Sequence, residues 1–107
     1  MLRVVFYRTI GGTVPVVEWL QSLPKPDRKA IGVELGLVQE GSLRRCRSLG
    51  KGLWEVRCDL RSNRIGRVVF FIARERICVV HGFIKKTQRT PKEIIQLALK
   101  RMKEMSE

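Results

Sequence analysis

The sequence predicts an α+β domain. Three observations carry that assignment. Short β-branched runs stand at the start and in the middle of the chain, helix-spaced apolar residues lie between and after them, and proline and glycine mark the joins. The expected order is β-α-α-β-β-β-α over residues 1–107, with helices set against a small twisted sheet. A chain of 107 residues suits one domain with one modest core, and no repeat, low-complexity tract or linker divides it.

Leu2 to Tyr7 is the first expected strand, broken by Gly11-Gly12. Thr13-Val14-Pro15 opens a short helix through Leu23, with Val16, Val17, Trp19, Leu20 and Leu23 as its apolar positions. Pro24 and Pro26 separate it from a second helix over roughly 27–39, and the two form a hairpin. Ile31, Leu35 and Val38 fall at i, i+4 and i+7 there, and Gly41 is the expected stop. Gly32 and Gly36, at i and i+4, suggest close approach to the neighbouring helix.

Ser42 to Gly52 reads as a basic connector holding Arg44, Arg45, Arg47 and Lys51. Three strands follow as an antiparallel meander. Leu53 to Cys58 alternates and has one polar face, carrying Glu55 and Arg57. A turn over Ser62 to Gly66 leads into Arg67 to Ala73, apolar on both faces and opened by Arg67. Arg74-Glu75 then turns the chain into Arg76 to Phe83. A last helix from Pro91 to about Lys103 closes the domain with Ile95, Ala98, Leu99 and Met102 as its stripe. Its start is signalled by Thr90-Pro91-Lys92-Glu93, in which Thr90 caps and Glu93 reaches back.

Charge is the strongest global signal. The net charge is +12, and residues 41–92 hold fourteen basic against three acidic residues, so the middle of the chain carries nearly all the excess. The simplest partner is a polyanion, which in a cytoplasm means nucleic acid or a ribonucleoprotein. An anionic membrane is the weaker fit, because no amphipathic helix carries the charge and no apolar run approaches the roughly 20 residues that span a bilayer. The N-terminus lacks the pattern of a signal peptide. Three cysteines, an odd number, are expected as reduced thiols in the cytoplasm. Cys78 and His81 have a metal-like spacing but no second close pair of ligands, so no metal or cofactor is expected.

The densest stretch is His81 to Glu93. A strand ends there, a helix begins, and the connector carries Lys85, Lys86 and Arg89. Cations held at both ends by rigid elements suit a phosphate-handling site; a solvated basic loop is the alternative. Together with Gly52-Leu53-Trp54-Glu55-Val56-Arg57 and Arg67-Val68-Val69-Phe70-Phe71, the run His81-Gly82-Phe83-Ile84-Lys85-Lys86-Thr87-Gln88-Arg89-Thr90-Pro91 resembles the phage-derived HigB-like branch of the RelE toxin superfamily. That resemblance covers nearly the whole chain. It implies a compact microbial RNase fold, toxicity through mRNA cleavage on the translating ribosome, and neutralisation by a helix-turn-helix, HigA-like antitoxin.

Metal-free RNA cleavage requires cations beside the phosphate attacked by the 2′-hydroxyl, a group to take one proton and a group to give another. Arg67 can hold two phosphate oxygens at once, and the resemblance, in which an arginine opens this strand, favours that role over a solvent-facing one. Lys85 and Lys86 are the expected phosphate ligands. His81 is the only histidine. By strand alternation it shares a face with Ile77, Val79 and Phe83, so it is either the acid for the leaving oxygen or a buried support of the loop. Arg57 is either an RNA contact or a salt-bridged surface residue, and Arg89 an RNA-backbone contact or solvated. Arg44, Arg45, Arg47 and Lys51 are expected to dock on RNA or the ribosome. Trp54 is expected in the core. A non-catalytic basic module that binds RNA or the ribosome explains the charge equally well.

Overall fold

A computed structural model describes residues 1–85, of Lys85 the backbone alone, and residues 89–106. The strands are β1 (Arg3–Phe6), β2 (Cys46–Gly50), β3 (Leu53–Asp59), β4 (Ile65–Ala73) and β5 (Arg76–Lys85); the helices are α1 (Pro15–Ser22), α2 (Lys25–Gln39) and α3 (Lys92–Ser106). They form a mixed α+β fold whose five strands make one sheet in the order β1-β5-β4-β3-β2. Only β1 with β5 is parallel; the other three pairings are antiparallel.

The expected three-strand meander therefore grows at both edges. The connector over residues 42–52 contains β2, whose register with β3 sets Cys46 opposite Val56 and Arg47 opposite Glu55. Its short, arginine-bearing sequence is typical of an edge, where charge discourages further pairing. Arg67 lies inside β4 rather than opening it, because Ile65 and Gly66 already pair with Lys85 and Ile84.

Both sheet faces are covered. On one, α1 and α2 bury Val16, Ile31, Leu35 and Val38 against Val56, Val68, Phe70, Ile77 and Val79, with Trp54 and Trp19 at the margin. On the other, α3 packs Ala98, Ile95, Leu99 and Met102 over Leu53, Val69, Phe71, Cys78 and Val80. That two-sided burial explains the two-sided apolar character of β4 and β5.

Helix ends follow local chemistry. Pro26 sits in the first turn of α2, where its missing N–H leaves no bond unmade. At the other end Gly41 (φ 94°) gives its N–H to Val38 O and Ser42 gives its N–H to Leu37 O, the paired bonds of a Schellman stop. Gly32 and Gly36 do not serve close helix packing as expected: a Cβ on either meets nothing within 4 Å. Gly82 is the glycine that packing requires. A Cβ there would lie 2.3 Å from the Trp19 ring, so β5 passes α1 at a distance only glycine permits.

Candidate phosphate-handling site

Strand register on the α3 face builds the site as a grid. Arg57, Arg67 and Phe83 stand side by side across β3, β4 and β5, and the next row along holds Arg47, Glu55, Val69 and His81 across β2 to β5. Lys85 ends β5 opposite Ile65, two residues beyond Phe83. The lysine's side chain and Lys86 lie outside the described residues.

His81 reaches this face through an irregularity. Phe70 pairs with Val79 but Val69 pairs with His81, so Val80 is an extra residue in β5. The bulge reverses the alternation beyond it. His81 therefore shares its face with Phe83, Val69 and Val80, not with Ile77 and Val79 as strict alternation implies. Arg101 of α3 donates to the Val80 carbonyl at 2.7 Å and fixes the bulge to the helix. The imidazole stacks on Phe83 with ring centroids 5.7 Å apart. Burial, reinforced by the charge of Arg101, pushes its pKa below the ordinary 6.5.

Glu55 is the centre of the polar arrangement. The sequence reads it as part of a polar strand face, yet the residue is only 1% exposed. Its Oε2 accepts from Arg67 Nη1 at 2.9 Å and from Arg47 Nε at 3.1 Å, while Oε1 accepts from the Thr90 hydroxyl at 2.5 Å. One buried carboxylate thus organises two guanidiniums and the entry to α3. Thr90, expected as a helix cap, is committed to Glu55 instead. The helix begins at Lys92, and the Pro91 carbonyl accepts from Ile95 N at 3.2 Å.

Arg67 is 7% exposed, and its buried Nε–H has no acceptor among the described residues. A buried donor left in this state is a place where an acceptor from outside the protein is favoured. Arg57 is half-exposed and lies 3.4 Å from Asp59. Arg45 holds Asp59 at 2.7 Å and faces Glu34 at 3.8 Å, and the hydrogen bond from Arg45 keeps the Asp59 carboxyl below its ordinary range.

The four residues expected to dock together do not form one free cluster. Arg45 and Arg47 are tied to carboxylates, whereas Arg44 and Lys51 are exposed, Lys51 with φ 55° in the β2–β3 turn. Arg89 is exposed at the start of the segment leading to α3. Sequence reasoning offers Glu55, with the lysines, as an available general base and Thr90 as a helix cap, but does not show that Glu55, Thr90 and Arg101 organise the site. The one signal it holds for Glu55 is the two-residue spacing from Arg57, which sets both on one strand face.

Cysteine chemistry has no foothold here. Burial pushes the Cys46 thiol up to about 11 and the Cys58 thiol up to about 12, and all three cysteines are free. Among the described residues no group of three or more His, Cys, Asp or Glu side chains is placed to hold a metal ion, and no helix is long and apolar enough to cross a membrane.

Comparison with known families places residues 18–103 on one family model, described as Phage derived protein Gp49-like (DUF891). No curated protein matches the chain.

Proposed function

Because the chain belongs to the phage-derived Gp49-like family, a toxin-like family related to RelE and HigB, we propose that it is the toxin of a toxin–antitoxin pair. In this reading it acts in the cytoplasm, cleaves mRNA on the ribosome and is neutralised by a helix-turn-helix antitoxin of HigA-like type. The observation that carries the nuclease reading is the Arg67 guanidinium. Glu55 holds it from one side, its Nε–H lacks an acceptor among the described residues, and it lies beside Arg57 and diagonal to His81.

The reaction needs no cofactor. The ribose 2′-oxygen attacks the adjacent phosphorus, the bond to the 5′-oxygen breaks, and a 2′,3′-cyclic phosphate and a 5′-hydroxyl result. Arg67, Lys85 and Lys86 hold the charge that builds on the phosphate. Arg57 and Arg89 position the flanking backbone. A histidine kept neutral by burial is better fitted to accept the 2′-hydroxyl proton than to arrive carrying one. One of the two lysines then supplies the proton that leaves with the 5′-oxygen.

Primer extension on a message under translation in a purified system tests this, using protein stripped with chelator beforehand. New 5′ ends are expected. An intact message under active translation removes the nuclease and leaves a non-catalytic module that binds RNA or the ribosome.

A further inference from the structure

The end of the α3 face away from Arg67 carries a second concentration of positive charge. Arg3 of β1 and Arg76 of β5 are register partners, and the tight turn Arg74-Glu75 lies beside them. Like charges set opposite one another on neighbouring strands repel. Arg8, Arg74 and Arg76 line one hollow of about 510 Å³, floored by Phe71 and Cys78, with no acidic residue lining it among the described residues.

Among the described residues none of these four arginines makes an ion pair. Arg8 gives an N–H to the Gly12 carbonyl at 3.3 Å, which leaves its charge uncompensated. Among the described acids nearby, Glu104 accepts from Tyr7, and Glu75 lines a separate hollow beside Met1 and Gly41. At the other end of the face, by contrast, Arg45, Arg47, Arg57 and Arg67 each have a carboxylate. Among the described residues this end of the sheet therefore carries a group of arginines without carboxylate partners, away from the candidate site.

We propose that this hollow is a docking surface for the phosphodiester backbone of folded RNA, holding the protein on its target at a distance from the phosphate that is cut. The backbone positions that carry these guanidiniums, a tight turn, a strand and a strand-end segment, are fixed relative to one another, which sets three cations side by side for a row of backbone phosphates. A ridge of phosphates enters a concave surface, whereas a flat bilayer reaches only its rim. The proposal rests on the reading above only in naming ribosomal RNA as the source of that backbone.

The test is the salt dependence of binding to a 2′-O-methylated RNA hairpin, which lacks the attacking hydroxyl and is not cut. Arg8→Gln, Arg74→Gln and Arg76→Gln together are expected to flatten the log–log slope by about 2.1–2.7, at about 0.7–0.9 for each phosphate no longer neutralised. A control carrying Lys25→Gln, Lys29→Gln and Lys100→Gln removes the same charge from exposed helix positions and is expected to keep the slope. An unchanged slope in the first variant, or an equal fall in the control, overturns the proposal. Arg74→Gln alone, on the exposed turn, decides the matter by a slope change of about 0.7–0.9 should the triple variant melt early. Message cleavage by the unaltered protein is measured in parallel. Cleavage with an unmoved slope removes the surface and keeps the nuclease; a fallen slope without cleavage does the reverse.

Discussion

Glu55 and Arg67 meet at 2.9 Å with both side chains withdrawn from water, on adjacent strands but in neighbouring register rows. The carboxylate is also the acceptor for Arg47 and Thr90, so it compensates charge and anchors the entry to α3 together. Glu55→Gln keeps the shape and removes the charge. A buried guanidinium without its counter-ion is expected to cost about 3–5 kcal/mol in urea unfolding. Adding Arg67→Met should recover much of that loss, since an apolar residue of similar length needs no partner. A loss for Glu55→Gln below about 1 kcal/mol, the range of an exposed pair, would sink the organising role assigned to this carboxylate.

Removing cations from the proposed phosphate contacts should lower the rate, and at Arg67 the stability as well, because Glu55 then loses a buried partner. Arg67→Ala, Lys85→Ala and Lys86→Ala are each expected to lower cleavage on the order of 10²–10³-fold. Arg67→Lys should also fall substantially, because an ammonium cannot grip Glu55 and a phosphate oxygen with one planar group. Thermal melting on the same samples separates lost chemistry from lost structure. Full activity in all three alanine variants would place the chemistry elsewhere.

His81 gives a pH signature. Its folded pKa lies below 6.5, so between the folded and unfolded values the unfolded chain binds the proton more readily. Stability therefore rises with pH through that window and falls as the solution is made more acidic than about pH 6.5. His81→Gln should abolish this component of the melting-temperature profile. If His81 takes the 2′-hydroxyl proton, the acidic limb of the cleavage profile should vanish as well. A variant with an unaltered acidic limb would leave His81 as a packing residue stacked on Phe83.

Gly82→Ala tests the approach of β5 to α1. Its methyl would fall within 2.3 Å of the Trp19 ring, and overpacking of this kind typically costs about 1–3 kcal/mol. Trp19→Leu in the same chain should restore part of the stability by making room. Equal stability of Gly82→Ala and the unaltered protein would falsify the contact.

Much of the fold is legible in the sequence, because periodicity reports which residues are buried. Ile31, Leu35 and Val38 line up on α2 as their spacing predicts, and α3 presents Ala98 and Leu99 to the sheet. What periodicity omits is partnership. Nothing in Arg3 to Phe6 says that it pairs in parallel with β5, a strand some seventy residues away. Cys46 to Gly50 hides as a strand because an edge needs little apolar content.

The site is legible as composition and less so as geometry. The basic residues of the candidate site are visible one by one, yet a single extra residue at Val80 decides which way His81 faces. A bulge leaves no mark in an alternating apolar run. Glu55 is likewise ambiguous in sequence: a charged residue in a strand usually marks the wet side, and here two arginines and a threonine make its burial tolerable.

The parallel β1–β5 pair has a consequence for how the molecule comes into being. Synthesis runs in one direction, and β1 is made well before its neighbour in the sheet, β5. A nascent chain therefore holds an unpaired strand until most of the sheet has been translated, and Tyr7 waits longer still for Glu104. Closure between such distant segments is late and slow compared with the local α1–α2 hairpin. The frame around Glu55 and Arg67 is thus completed only after Thr90 has been made, so a partly translated chain lacks the finished site.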